Sequence, residues 1–190
     1  MRIDHVIWAT ADLAGATSRL AAEHGLADVG GGRHEGIGTH NRVLPLGGGY
    51  LEVLAVADAA EAARSPLGRA VAAAPEGLLG WAVAVEDVAA HAVRLDLPVT
   101  TIARAGLTAR LAGVLEAMAD SSLPFFIERD PGVADPGAAS SAGGIAWVEI
   151  GGDDERLRAW LGGAELPVRP TDGGPPGLRA VGLGSGAVIR

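Results

Sequence analysis

Apolar and polar positions along this chain fall into two periods, and the same order of periods begins three times. Ile3 to Ala9 is an apolar run broken only by Asp4 and His5, which predicts a strand. In ADLAGATSRLAAEHG, Leu13, Ala16, Leu20 and Ala21 recur at helical spacing, with Thr10 or Asp12 as cap and Gly25 as stop. The glycine cluster GGGRHEGIG predicts a loop or weak strand. Two strands then flank the turn at Gly47 to Gly49, the second reading YLEVLAV. DAAEAARSPLGRAVAAAPEG reads as a helical connector, with Ser65 and Pro66 able to begin a new turn.

From Leu78 the strand–helix grammar starts again in LLGWAVAVEDVAAHAVRLDLPV, where Asp87 stands as Asp12 did. Three further strands are expected, at Val99 to Ala103, Arg110 to Ala117 and Leu123 to Arg129. Superposing Asp87 on Asp12 sets Gly80 opposite His5. The same superposition carries Glu52 to position 127, just short of Glu128, so Glu128 is expected as its counterpart after a single insertion. Self-similarity on this scale indicates two β-α-β-β-β units in tandem. After the loop DPGVADPGAASSAGG, GIAWVEIGGDDERLRAWLGG begins a third, partial β-α-β-β copy, with Trp147 at the His5 position. The expected organisation is a paired-module domain over 1–130 (first module 1–57, helical connector 58–77, second module 78–130). A linker follows at 131–143, and the partial module at 144–190 packs on the main domain.

Polar residues inside these apolar strands are the candidates for chemistry, because a buried carboxylate is costly unless something compensates it. Strict alternation sets Glu52 with Tyr50 and Leu54, Glu128 with Pro124 and Phe126, and His5 with Ile3 and Ile7. The blander readings are a core histidine and glutamates paired with arginines such as Arg42 or Arg110. His34, His40, Asn41 and Arg42 lie one strand away. A three-residue turn at Gly47 to Gly49 points His40 and Arg42 toward Glu52, whereas an even turn presents Thr39 and Asn41 instead.

Composition narrows the classes. The chain has 190 residues, of which 48% are hydrophobic and 20% charged, as in a globular protein. A net charge of -8 without a basic cluster argues against nucleic acid as a partner. All 15 basic residues are arginine, a bias that fits a GC-rich bacterial genome. With no cysteine, disulfides and thiolate metal sites are excluded. No basic leader and no long apolar window is visible, so a cytoplasmic chain without membrane contact is expected, as monomer or homodimer. The glycine runs do not open a helix after a strand at phosphate-binding spacing, so no nucleotide cofactor is expected.

IDHVIWATADL, GGRHEGIGTHNRVLPL, YLEVLAV, LLGWAVAVEDV and LPFFIER, within roughly the first 130 residues, resemble the glyoxalase-like domain proteins of the vicinal oxygen chelate superfamily. The resemblance implies an α+β fold whose paired modules form an open, cup-shaped mixed sheet around a divalent metal. Carried over, His5, Glu52 and Glu128 are the metal ligands, for Zn, Mn, Ni or Mg, and Gly80 departs from the pattern where His or Gln usually stands. The implied activity is metal-assisted lyase or isomerase chemistry on a small oxygenated metabolite, with Glu52 or Glu128 as proton acceptor. His34, His40, Asn41, Arg42, Tyr50 and Phe126 are the candidate substrate contacts. The alternative is a non-catalytic protein that holds a small molecule, such as an antibiotic, over a degenerate metal site, where Tyr50, Phe125 or Phe126 would matter more than the carboxylates. A third reading makes the tail module a device for assembly.

Overall fold

The computed structural model describes the chain except residues 105–106, 134, 139, 141 and 172–174. The first module runs β1 (Arg2–Ala9), α1 (Leu13–His24), β2 (Gly31–His34), β3 (Thr39–Pro45) and β4 (Tyr50–Val56). Two short helices follow, α2 (Ala59–Ala62) and α3 (Pro66–Ala73). The second module is β5 (Gly77–Ala84), α4 (Val88–Leu95), β6 (Val99–Arg104), β7 (Leu107–Ala112), α5 (Val114–Ala119) and β8 (Phe125–Arg129). The tail adds β9 (Ile145–Gly151), α6 (Asp154–Trp160), β10 (Val168–Thr171), β11 (Gly177–Leu183) and β12 (Val188–Ile189).

The repeated grammar is visible in the caps. Asp12 accepts from the Gly15 N–H and Asp87 from the Ala90 N–H, each at 3.0 Å, satisfying donors that a helix start leaves free. Gly25 ends α1 in the left-handed region at φ 65°. One element differs from expectation: the strand predicted for Arg110 to Ala117 stops at Ala112, and α5 takes over. Leu115, Glu116, Ala117 and Met118 are strong helix formers. Gly113 makes the break at φ 80°, where an added Cβ would meet the Trp160 ring at 2.9 Å.

Eight strands form one mixed sheet in the order β2-β3-β4-β1-β5-β8-β7-β6. Its centre is the antiparallel pair β1/β5, with β4 parallel to β1 and β8 parallel to β5 on either side. In that central pair His5 faces Ala82 and Ile7 faces Gly80. Gly80 is the repeat counterpart of His5, and Ala82 that of Ile7, so the two modules meet through equivalent positions exchanged across the pair. The sheet curls into an open half-barrel. Val6, Trp8, Trp81, Val83 and Phe126 point to its outer side, where they pack with Val148, Ile150, Val181 and Leu183 of the second sheet. Ile7, Leu54, Ala82, Leu111, Phe125 and Ile127 point inward, against Val71 of α3 and Ala117 of α5. The tail keeps the β-α-β-β order but pairs differently. Its sheet runs β10-β9-β11-β12, with β9 parallel to β10, so it covers the back of the half-barrel rather than extending it. No helix among the described residues is long and apolar enough to cross a membrane.

Candidate functional site

The inner face of the half-barrel, closed by α3 and α5, encloses a cavity of about 290 Å³. Its body is apolar: Ile7, Leu54, Leu67, Ile102, Leu111, Val114, Met118, Phe125 and Ile127 line it. Its polar end is built by His5, His34, Asn41, Tyr50, Glu52 and Arg129. A mostly apolar pocket with a few convergent polar groups is the usual form of a small-molecule site.

His5 reaches the cavity because β1 is irregular. The β1/β5 register shifts between Ile3 and His5, leaving Asp4 as the unpaired residue. Ile3 consequently packs in the outer core, not beside His5 and Ile7 as uniform alternation predicts. Asp4 is fully buried and its Oδ1 lies 2.6 Å from His5 Nδ1. Arg129 donates to both Asp4 oxygens, with Nη2 2.6 Å from Oδ1. Burial alone would raise the Asp4 carboxyl, but hydrogen bonds from Arg129 and His5, with their charges, hold it well below the ordinary carboxylate range. Asp4 is therefore an ionised acceptor that keeps a proton on Nδ1 and turns Nε2 to the cavity. The imidazole, 3% exposed, stacks on Tyr50 at 4.6 Å and meets the edge of Phe125 at 5.4 Å. Burial, then the negative charges of Glu52 and Asp4, push the Tyr50 phenol well above its usual value, so it stays protonated.

Glu52 is 8% exposed. Its Oε2 lies 3.5 Å from His5 Nε2, and its Oε1 accepts from Asn41 Nδ2 at 2.5 Å and lies 3.9 Å from His34 Nε2. His34 is oriented by Thr39, whose Oγ1 lies 2.9 Å from Nδ1. Asn41 is oriented by its Oδ1 accepting from the Gly32 N–H at 2.9 Å. The even register between β3 and β4 decides which residues arrive. Pro45 pairs with Tyr50, Val43 with Glu52 and Asn41 with Leu54, which places Asn41 in the cavity. The turn that sets this register needs Gly49 at φ 84°, where a Cβ would lie 2.6 Å from the Asp4 carbonyl.

The structure does not bring together all the residues the sequence singles out. His5, Glu52, His34, Asn41 and Tyr50 meet at the polar end. His40 and Arg42 do not line the cavity, because the alternative register turns them outward; Arg42 pairs there with Asp28, its Nε donating at 2.9 Å. Glu128 and Phe126 also face away. Phe126 is in the outer core, stacked on His91 at 4.6 Å. Glu128 accepts from the Val88 N–H at 2.8 Å, at the start of α4, and pairs with Arg110. The Val88 hydrogen bond first, then Arg110, lowers its carboxyl below the usual value.

The reason is parity. Ile7 pairs with Glu52 in the first module, and its counterpart Ala82 pairs with Phe125 in the second. Phe125 is thus the structural counterpart of Glu52. The superposition of Gly80 on His5 carries Glu52 to Ile127, which lines the same cavity as Phe125, whereas Glu128 lies one position further on. A shift by two positions preserves the face of the sheet, and a shift by one reverses it. Arg129, Asp4 and Met118 are the site residues that the sequence reading missed, whereas Phe125, named there as a contact for a binding protein, does line the cavity. Counting the inward face at odd positions from Phe125 to Arg129 would have found Arg129.

The group that the superfamily implies is a divalent metal, and the donors here do not fit one. His5 and Glu52 stand on one wall, and the opposite positions, Gly80 and Phe125, carry no side-chain donor atom. Met118 fills the space at Gly80, where an added Cβ would lie 3.0 Å from its Cε. Among the described residues no three His, Asp or Glu side chains are grouped to hold an ion.

A family model described as a glyoxalase-like domain matches residues 3–165. The chain belongs to the glyoxalase-like domain family. No curated protein matches it. Among solved structures, a hypothetical protein from Staphylococcus aureus has a TM-score of 0.69 at 16% identity, covering 98% of this chain and 96% of the other. Streptomyces coelicolor methylmalonyl-CoA epimerase, in complex with 2-nitronate-propionyl-CoA, has a TM-score of 0.52 at 20% identity, over 68% of this chain and 96% of the epimerase. The Mycobacterium tuberculosis methylmalonyl-CoA epimerase has 0.52 at 16%, over 68% and 87%. These likenesses are of fold.

Proposed function

We propose that this glyoxalase-like chain binds a small oxygenated molecule in the half-barrel and moves a proton on it, as an isomerase or lyase, with Glu52 and His5 as the proton-handling pair. One observation carries the reading: a buried carboxylate faces a buried imidazole at 3.5 Å, at the polar end of an otherwise apolar cavity. Asp4 fixes the His5 tautomer, so a proton can pass between Nε2 and the facing Glu52 oxygen. The Glu52 carboxylate takes a proton from a carbon next to a carbonyl, and the C–H electron pair moves onto the carbonyl oxygen. Glu52 hands that proton to His5 Nε2, and His5 returns it to the enolate, which leaves both side chains as they began. The apolar wall lowers the local dielectric, which strengthens the electrostatic part of both steps.

The test is exchange in deuterium oxide. A panel of uncharged cyclic ketones, incubated with the protein and chelator, should gain deuterium next to the carbonyl, and Glu52→Gln should remove that gain while the fold is retained. Absence of exchange with every ketone that binds would sink the enzymatic reading. The second reading, a binding protein without turnover, is favoured by the apolar Gly80 and Phe125 opposite His5 and Glu52. It predicts that Glu52→Gln binds the same ketones undiminished.

A further inference from the structure

We infer that the cavity rejects anionic ligands and takes a molecule with an uncharged or cationic polar end on an apolar body. The inference deepens the small-molecule reading of the same cavity and rests on it. Among the described residues lining the cavity, the one permanent cation is Arg129. Its two Nη groups are spent on Asp4, with Nη2 also 3.3 Å from the Tyr50 hydroxyl. Asp4 is 0% exposed and ionised, so the Arg129 charge is cancelled where it stands.

What remains on the lining is of the other sign: Glu52 within the cavity and Glu35 with it. Arg33, beside His34 on β2, is held by Glu61, with Nη2 2.6 Å from Oε2, and lies 3.6 Å from Asp58 and 3.7 Å from Glu35. The whole chain carries a net charge of -8, which adds repulsion of the same sign. A carboxylate or phosphate entering the polar end would face Glu52 in a low-dielectric site whose permanent cation is already paired. A ketone, hydroxyl or ammonium group has no such conflict. CoA esters carry several phosphates, so the ligand named in the epimerase complex is of the class this lining disfavours.

The experiment compares three ligands of one skeleton, 2-tetralone, 2-aminotetralin and tetralin-2-carboxylate, by calorimetric titration of the full chain at pH 7 and low salt. The expected result is that the ketone and the amine bind and the carboxylate binds at least tenfold more weakly. Glu52→Gln should narrow that gap, since it removes the opposing charge and keeps the acceptor for Asn41. If the carboxylate binds as tightly as the ketone, the charge inference is overturned while the small-molecule reading stands. If none of the three binds, both fail.

Discussion

Asp4 Oδ1 lies 2.6 Å from Nδ1 of His5, the next residue in the chain. Neighbours in a regular strand point to opposite faces, so this contact exists only because β1 leaves Asp4 unpaired between its two registers. The pair is buried with Arg129 in one network. Removing its negative member leaves Arg129 and His5 without their acceptor.

Asp4→Asn should therefore be among the most damaging conservative changes in the chain. Breaking one member of a buried ion pair typically costs about 3–5 kcal/mol, because the partner charge is left uncompensated. Urea unfolding followed by circular dichroism measures it. A loss within experimental error would mean that Arg129 finds another acceptor and that the network does not hold the site.

The same carboxylate sets an acid limit. Burial raises the Asp4 carboxyl, but Arg129 and His5 outweigh it, so the folded value lies below the unfolded one of about 3.9. A depressed folded value means stability that is fully present above about pH 4 and is lost as pH falls from there toward the folded value. Glu128, lowered by Val88 and Arg110, contributes to the same limb in the same direction. Melting temperature between pH 7 and pH 2 should fall steeply at the acid end in the parent. It should fall less steeply in Asp4→Asn, which has no proton to take up at that position.

Much of the architecture is legible in the sequence because it is written in periods. The caps Asp12 and Asp87 open equivalent helices, and the superposition that aligns them also aligns the positions that meet in the β1/β5 pair. His5 and Glu52 are legible as polar residues in apolar strands. Parity after an unknown loop change is not: Glu128 and Phe125 stand on the same short strand and lie on opposite faces. The β3/β4 register poses the same problem, since one residue in the turn exchanges His40 and Arg42 for Thr39 and Asn41. Asp4 is hidden by a bulge, which leaves no mark in an apolar pattern.

Glu52 and Glu128, equivalent in a reading by repeats, should separate cleanly in the laboratory. Glu52→Gln should leave the fold intact, because Asn41 keeps an acceptor, and should change binding or turnover in the cavity. Glu128→Ala should leave ligand binding unchanged and lower the melting temperature by about 2–4 °C, as expected for losing a carboxylate at a helix start. The two proteins would be compared by thermal melts with and without 2-tetralone. A Glu128→Ala protein that melts normally but no longer binds the ketone would contradict the outward placement of Glu128.

The apolar half of the site makes a constructive prediction. His5 and Glu52 offer two donors, and Gly80 and Phe125 occupy the matching positions of the second module. Four donors of this kind around one centre suit a divalent ion. The triple variant Gly80→His, Phe125→Glu and Met118→Ala supplies the missing two and clears the methyl group that a side chain at Gly80 would otherwise meet at 3.0 Å. Titration with Zn or Ni, read by calorimetry, should show stoichiometric binding in the variant at least a hundredfold tighter than in the parent. The gain should disappear when Glu52→Gln is added, which distinguishes a completed four-donor centre from an ion held by the new residues alone. Equally tight binding by the unaltered chain would show that His5, Glu52 and their neighbours suffice, and the donor argument against a metal would fall.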